Sequence, residues 1–387
     1  MRALIKKFAR AIAGREIDLL RQSAADAAAA REFIEQLRRD LTPLTHATVH
    51  PPAPGDAGLI EQLNYRFALL DQRGGVLEHH AVMLHKELDE LRKDVQILAR
   101  TLTLPPTDLW YDGTGVAAAK EPPIGVLPSS MICRQREMDT DWYAYWTGRM
   151  AHKPRYHRKM WEFVFIAQAL YERGQLAPGK RGLGFGVGKE PLAALFATFG
   201  ADTVGTDMPF EGAIEAGWAT DNQHAAGKAQ MRWPTICPDD KFDAHVSFET
   251  FDMTKTPGAF RDFDFCWSSC ALEHLGSIDA GLSFIERSIE TLKVGGVAVH
   301  TTEYNLISND ETVETGGTVL FRKRDFEAVI ERLEKAGHKV APLDLRPGAQ
   351  PVERYVDIAP FRDEPHLRLA LMGYATTSMG LIVTRGR

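Results

Sequence analysis

The chain has 387 residues, 44% hydrophobic and 25% charged, with a formal net charge of -6. Such a length exceeds one ordinary core and suits two or three domains of about 100 to 200 residues, and the acidic balance gives no global attraction to nucleic acid. Cys133, Cys237, Cys266 and Cys270 form no C-x-x-C pair, so neither a zinc site nor a disulfide framework is indicated, and no run reaches the roughly 18 apolar residues of a membrane span.

Residues 1–42 read as helix, rich in Ala, Leu, Arg and Glu, with Gly14 as a break. Leu4, Ile5, Phe8, Ala11 and Ile12 share one face while Arg2, Lys6, Lys7 and Arg10 lie mostly off it. Residues 1–13 could therefore dock on another chain or lie on the inner face of a membrane. The expected location is the cytoplasm, with peripheral membrane contact as the variant. After a linker rich in Pro and Gly, residues 59–104 carry a heptad pattern. Ile60, Phe67, Gly74, Ala81, Leu88, Val95 and Leu102 occupy a, and Leu63, Leu70, Leu77, Leu84, Leu91 and Leu98 occupy d. The flanking pairs Arg66 with Asp71, Arg73 with Glu78 and Glu87 with Arg92 predict a parallel homo-oligomeric coiled coil, with an antiparallel hairpin as the alternative. Residues 105–153, rich in Pro and Gly, read as an irregular connector whose aromatic group Trp142, Tyr143, Tyr145 and Trp146 either caps a pocket or buries a junction.

Residues 154–387 alternate helix with strand, which predicts an α/β domain with a mainly parallel, Rossmann-like sheet. A strand enters the turn Gly184-Phe185-Gly186-Val187-Gly188, where glycines let the backbone approach a ligand closely. The next strand ends in Asp207, placed as an acid that reaches ribose hydroxyls. Alone, this pair fits a dinucleotide dehydrogenase too, although Lys189 stands where that fingerprint wants glycine. A third strand ends at Asp252-Met253, and a fourth runs over Phe263–Ser268. The segment Ala271-Leu272-Glu273-His274-Leu275 then opens a helix, and Leu292-Lys293-Val294-Gly295-Gly296 turns into a further strand.

In that order, these motifs resemble the class I S-adenosylmethionine-dependent methyltransferases over roughly residues 155–387. The resemblance implies S-adenosylmethionine as cofactor. Gly184, Gly186 and Gly188 would lie against its methionine moiety, Asp207 on the ribose, Asp252 with the Met253 N–H at the adenine, and the Ser268 backbone near the methionine amino group. The acid that the family often carries two places before the first glycine is Gly182 here, and Glu190 is the candidate replacement. The run from Trp267 to Gly276 and the run from His300 to Asn305 also resemble bacterial methyltransferases of polysaccharide and glycolipid synthesis. That implies a sugar hydroxyl as acceptor. A small-metabolite O- or N-methyltransferase and a coiled-coil scaffold with an inactive domain are the alternatives. His300, His274 and Glu303 lie just past strand ends and are the candidate proton acceptors. No acidic cluster has clear Mg²⁺ spacing, so the reaction is expected to need no metal.

Overall fold

The structure, a computed structural model, describes Tyr111 and residues 116–209 and 224–387. The chain divides into two units, Met1–Leu104 and Pro105–Arg387. The helices and coiled coil expected for the first unit lie outside the described residues.

The second unit begins with β1 (Ser130–Ile132), α1 (Gln135–Met138), α2 (Asp141–Arg149) and α3 (Arg158–Glu172). It continues through β2 (Arg181–Phe185), α4 (Leu192–Thr198), β3 (Asp202–Asp207), α5 (Asp239–His245), β4 (Val246–Thr250) and β5 (Phe263–Ser269). Then come α6 (Ile278–Ile289), β6 (Leu292–Asn305), α7 (Lys323–Lys335), β7 (Lys339–Val340), β8 (Leu343–Asp344), β9 (Leu369–Leu371) and β10 (Tyr374–Thr384). The strands build one sheet in the order β4-β3-β2-β5-β6-β10-β1-β8. The first five are mutually parallel, and β10 runs antiparallel to both β6 and β1. The chain winds outward from β2 to β4, then returns to β5 on the other side of β2. That reversal opens a crevice at the carboxyl ends of β2 and β5, where doubly wound sheets bind ligands.

Alternation along the strands divides the core. Phe265, Trp267, Val297 and Val299 face α3 and α4, while Leu183, Phe185, Cys266 and Ala298 face α6 and α7. On the α3 face, β2 presents only glycines. A Cβ on Gly182 would lie 2.3 Å from the Phe265 ring, and one on Gly184 would lie 2.5 Å from Trp267. The two rings lie flat over the glycine strand, which explains why an acid is absent at position 182.

The connector expected for residues 105–153 is, from residue 116 onward, part of the domain. β1 pairs with β10, and Trp142, Tyr143 and Trp146 are buried against α3, with the Trp146 indole donating to Gln168 at 2.6 Å. The aromatic group thus packs inside the second unit, in the core against α3. The helix expected to open at Ala271 instead begins at Ile278, capped by Ser277, and Leu272–His274 form a separate 3-10 turn. No helix among the described residues is long and apolar enough to cross a membrane.

Candidate active site

β2 ends in the turn Gly186 to Gly188, whose two glycines have φ of 56° and 49°, a region open to glycine without a Cβ clash. A side chain on Gly186 would also press on Met253 and Ala271. Beside this turn Asp207 ends β3. Its carboxylate accepts backbone N–H bonds from Gly188 at 3.1 Å, Met208 at 2.9 Å and Ala225 at 3.0 Å. Ala225 and His224, whose ring meets the Met208 carbonyl at 2.7 Å, belong to the long β3–β4 connection, so its return limb walls the acid. Burial raises the Asp207 carboxyl above its ordinary range, and the backbone donors pull it back only in part. Trp218, in the same connection, lies outside the described residues.

Glu190 follows the turn and is buried. One oxygen accepts from the Trp267 indole at 2.5 Å, and no cation among the described residues forms an ion pair with it. Desolvation pushes this carboxyl up to about 8. A carboxyl buried with one neutral donor must either hold a proton or meet a cationic ligand.

Next to it, a polar network links α3 to the ends of β5, β6 and β10. Glu162 is fully buried and accepts from Lys159 (3.0 Å), Ser269 (3.1 Å), Thr301 (3.1 Å), Cys270 (3.1 Å) and Ser378 (2.5 Å). Burial alone would raise its carboxyl, but Lys159, Arg158 and these donors overcome that and hold it at about 2. Arg158 bridges from Glu162 at 3.3 Å to Glu303, with which it forms a short ion pair. Glu303 is pushed up to about 7 by burial despite Arg158, and its Oε2 is sealed without a hydrogen-bond partner. Cys270, Glu273 and Glu303 bring ligand-type atoms within 4.8 Å of one another. The cation already present there is the Arg158 guanidinium.

No family model and no curated protein matches the chain. It is similar to the solved magnesium protoporphyrin IX methyltransferase from Synechocystis PCC 6803 with bound S-adenosylhomocysteine, at 14% identity over 58% of this chain and 82% of that one, with a TM-score of 0.35. It is also similar to TehB from Haemophilus influenzae, at 11% identity over 64% of this chain and 67% of that one, TM-score 0.37. A third is 1,6-didemethyltoxoflavin-N1-methyltransferase from Burkholderia thailandensis, at 15% identity over 57% and 76%, TM-score 0.33.

The residues expected from sequence divide into groups. Gly186, Gly188, Asp207 and Met253 converge on the crevice, whereas Gly184 serves the packing of Trp267. Asp252 lies beyond β4, its carboxylate held by Thr254 N–H and Oγ1 at 2.8 and 2.7 Å. The Ser268 hydroxyl turns to the opposite face and donates to His300 Nδ1 at 2.8 Å, so Ser269 and Cys270 are the side chains that β5 delivers to the network, while the expectation for Ser268 concerned its backbone. His300 is a correction. Its Nε2 donates to Ser288 at 2.9 Å, its ring lies edge-on to Phe284, and desolvation lowers it to about 3. Both nitrogens are engaged on the α6 face, away from Glu162 and Glu303. His274 ends the 3-10 turn, with Nδ1 at 2.8 Å from the Gly317 carbonyl, so it gains no helix N-terminus. Glu303 alone of the three enters the network. Glu162, Lys159 and Arg158 were missed, although an acid inside the apolar run Met160–Leu170 was a visible signal.

Proposed function

We propose that the chain transfers a methyl group from S-adenosylmethionine to a hydroxyl of a sugar in a glycan or glycolipid precursor. The observation that carries this reading is Glu190. In a dinucleotide-binding sheet, the pyrophosphate sits where the first turn meets its helix, and a buried acid at that point repels it. Asp207 for a ribose diol at one end and Glu190 for a cation at the other fit a nucleoside bearing an ammonium and a sulfonium. Gly186 and Gly188 would admit the methionine portion, and Asp252 with Met253 lies toward the adenine side. The cofactor supplies an electrophilic methyl group.

What the chain's own residues do is bind and align. Glu162, Ser269, Thr301 and Ser378 form a buried hydroxyl-and-carboxylate network, joined by Arg158 and Lys159, that fixes the ends of β5, β6 and β10 beside the crevice. That network is closed and internally satisfied, so the sugar class of the acceptor is carried by sequence likeness. The likeness of the Trp267–Gly276 and His300–Asn305 runs to glycan-associated enzymes supports the same class. Calorimetry with S-adenosylhomocysteine and with NAD tests the cofactor: binding of the first alone is expected, and preference for NAD would overturn the reading. Turnover of labelled S-adenosylmethionine with a bacterial glycan extract tests the acceptor, and incorporation only into small metabolites would redirect it.

A further inference from the structure

A second group of titratable side chains lies at the same sheet edge, outside the cofactor crevice. The segment before β9 carries Asp357, fully buried, and His366, whose Nδ1 lies 2.8 Å from Asp357 Oδ2. The same oxygen accepts the Arg362 N–H at 2.8 Å, and Oδ1 accepts the Tyr355 hydroxyl at 3.3 Å. An acceptor-only carboxylate forces the His366 proton onto Nδ1 and leaves the lone pair on Nε2. No described group bonds that Nε2, and it is not among the sealed orphan atoms.

The dyad is tied to the polar network. The His366 carbonyl accepts the Arg158 N–H at 2.9 Å, and the His157 ring, which caps α3, lies against His366 with centroids 4.6 Å apart and planes tilted by 31°. Phe361 stands edge-on to His366 at 5.4 Å and is 42% exposed, an aromatic rim of the kind that receives the apolar face of a ligand. Of the sequence candidates, His300 and Glu303 do not offer an equivalent. His300 has no free nitrogen, and Glu303 is ion-paired on one oxygen and sealed on the other.

We propose that Asp357 and His366 form the proton-accepting dyad for the acceptor hydroxyl, with Phe361 at the rim of the acceptor site. This rests on the methyltransferase reading. The acceptor oxygen bonds to the donor's methyl carbon as the carbon–sulfur bond breaks, its electron pair remaining on the former sulfonium. The hydroxyl proton passes to His366 Nε2, the resulting imidazolium is stabilised by Asp357, and the proton then leaves to solvent. The titratable groups facing His366 are Asp357 from its own segment and His157 from the cap of α3, with Arg158 next in the chain.

The test compares the full chain with His366→Gln and Asp357→Asn, using labelled S-adenosylmethionine and the bacterial glycan extract across a pH series. Expected for His366→Gln is a loss of turnover of about 10² to 10⁴-fold and disappearance of the acidic limb of the pH profile, with S-adenosylhomocysteine affinity unchanged. Asp357 is the positioning residue. Its variant should shift the His366 proton off Nδ1 in ¹⁵N spectra of the ring, a readout that needs neither acceptor nor turnover. Parent-like turnover and acidic limb in His366→Gln, or a parent ring protonated on Nε2 alone, would overturn the dyad. Failure of the parent to bind S-adenosylhomocysteine would instead sink the methyltransferase reading.

Discussion

Two buried side chains set opposite pH responses. Glu190 is raised from 4.5 to about 8, so the ligand-free fold holds a proton there that the unfolded chain has lost. Its contribution to stability is present below about pH 4.5 and fades as pH rises through about 8. A cationic ligand favours the carboxylate, so binding of S-adenosylhomocysteine near pH 7 should release close to one proton. Calorimetry in buffers of different ionisation enthalpy reads this directly, and Glu190→Gln should abolish the release while weakening affinity. An unchanged proton count in that variant would remove Glu190 from the site. His300 runs the other way: lowered from 6.5 to about 3, it supports the fold above pH 6.5 and withdraws that support as pH falls toward 3. His300→Leu should strand the Ser268 hydroxyl, while Ser288 keeps its bond to the Ile285 carbonyl, costing about 1 to 3 kcal/mol in a denaturant titration. Cofactor affinity should stay as in the parent. A variant as stable as the parent would show that those bonds contribute nothing net.

At the level of elements, the glycine strand shows what sequence could and could not disclose. The positions of β2, β3 and β5 follow from periodicity and turn residues, and they emerge within a few residues of expectation. The use of Gly184 does not, because the ring that fills its place belongs to Trp267, more than eighty positions away. His300 is similar: strand alternation sends it to the α6 face, and a sequence window that places it past a strand end cannot say that β6 continues to Asn305. Asp357 is equally hidden, since it lies in no periodic element and nothing in the sequence places it beside His366. Restoring an acid at position 182 therefore tests packing. Gly182→Glu should destabilise the domain by at least the about 1 to 3 kcal/mol typical of overfilled cores, and Phe265→Ala in the same chain should recover part of it. Equal losses with and without the ring would mean that something other than Phe265 excludes the side chain.

On the scale of the whole molecule, the domain starts well before the residue at which its alternating pattern becomes readable. A fragment of residues 154–387 would lack β1 and uncover the pocket filled by Trp142, Tyr143 and Trp146. At about 1.5 to 3 kcal/mol for each large side chain, that loss is comparable with the whole stability of a typical domain. Circular dichroism should find residues 105–387 folded and 154–387 unfolded or molten; a cooperative melt of the shorter piece would contradict this. Light scattering should find residues 105–387 monomeric and the full chain oligomeric through the heptads of residues 59–104, and an oligomeric 105–387 would move the association into the second unit.

The terminal strands of the sheet bear on that association. One border consists of β8, β7 and β9, none longer than three residues, and the other is β4, which carries Glu249 beside the exposed Thr250. Short or charged border strands offer poor templates for another chain's backbone. Copies joined by a coil would meet at an effective concentration of about millimolar, enough to drive strand-to-strand fusion of sheets with long apolar borders. With these borders blunted, copies tethered in that way would crowd one another and still keep separate sheets, each with its own crevice.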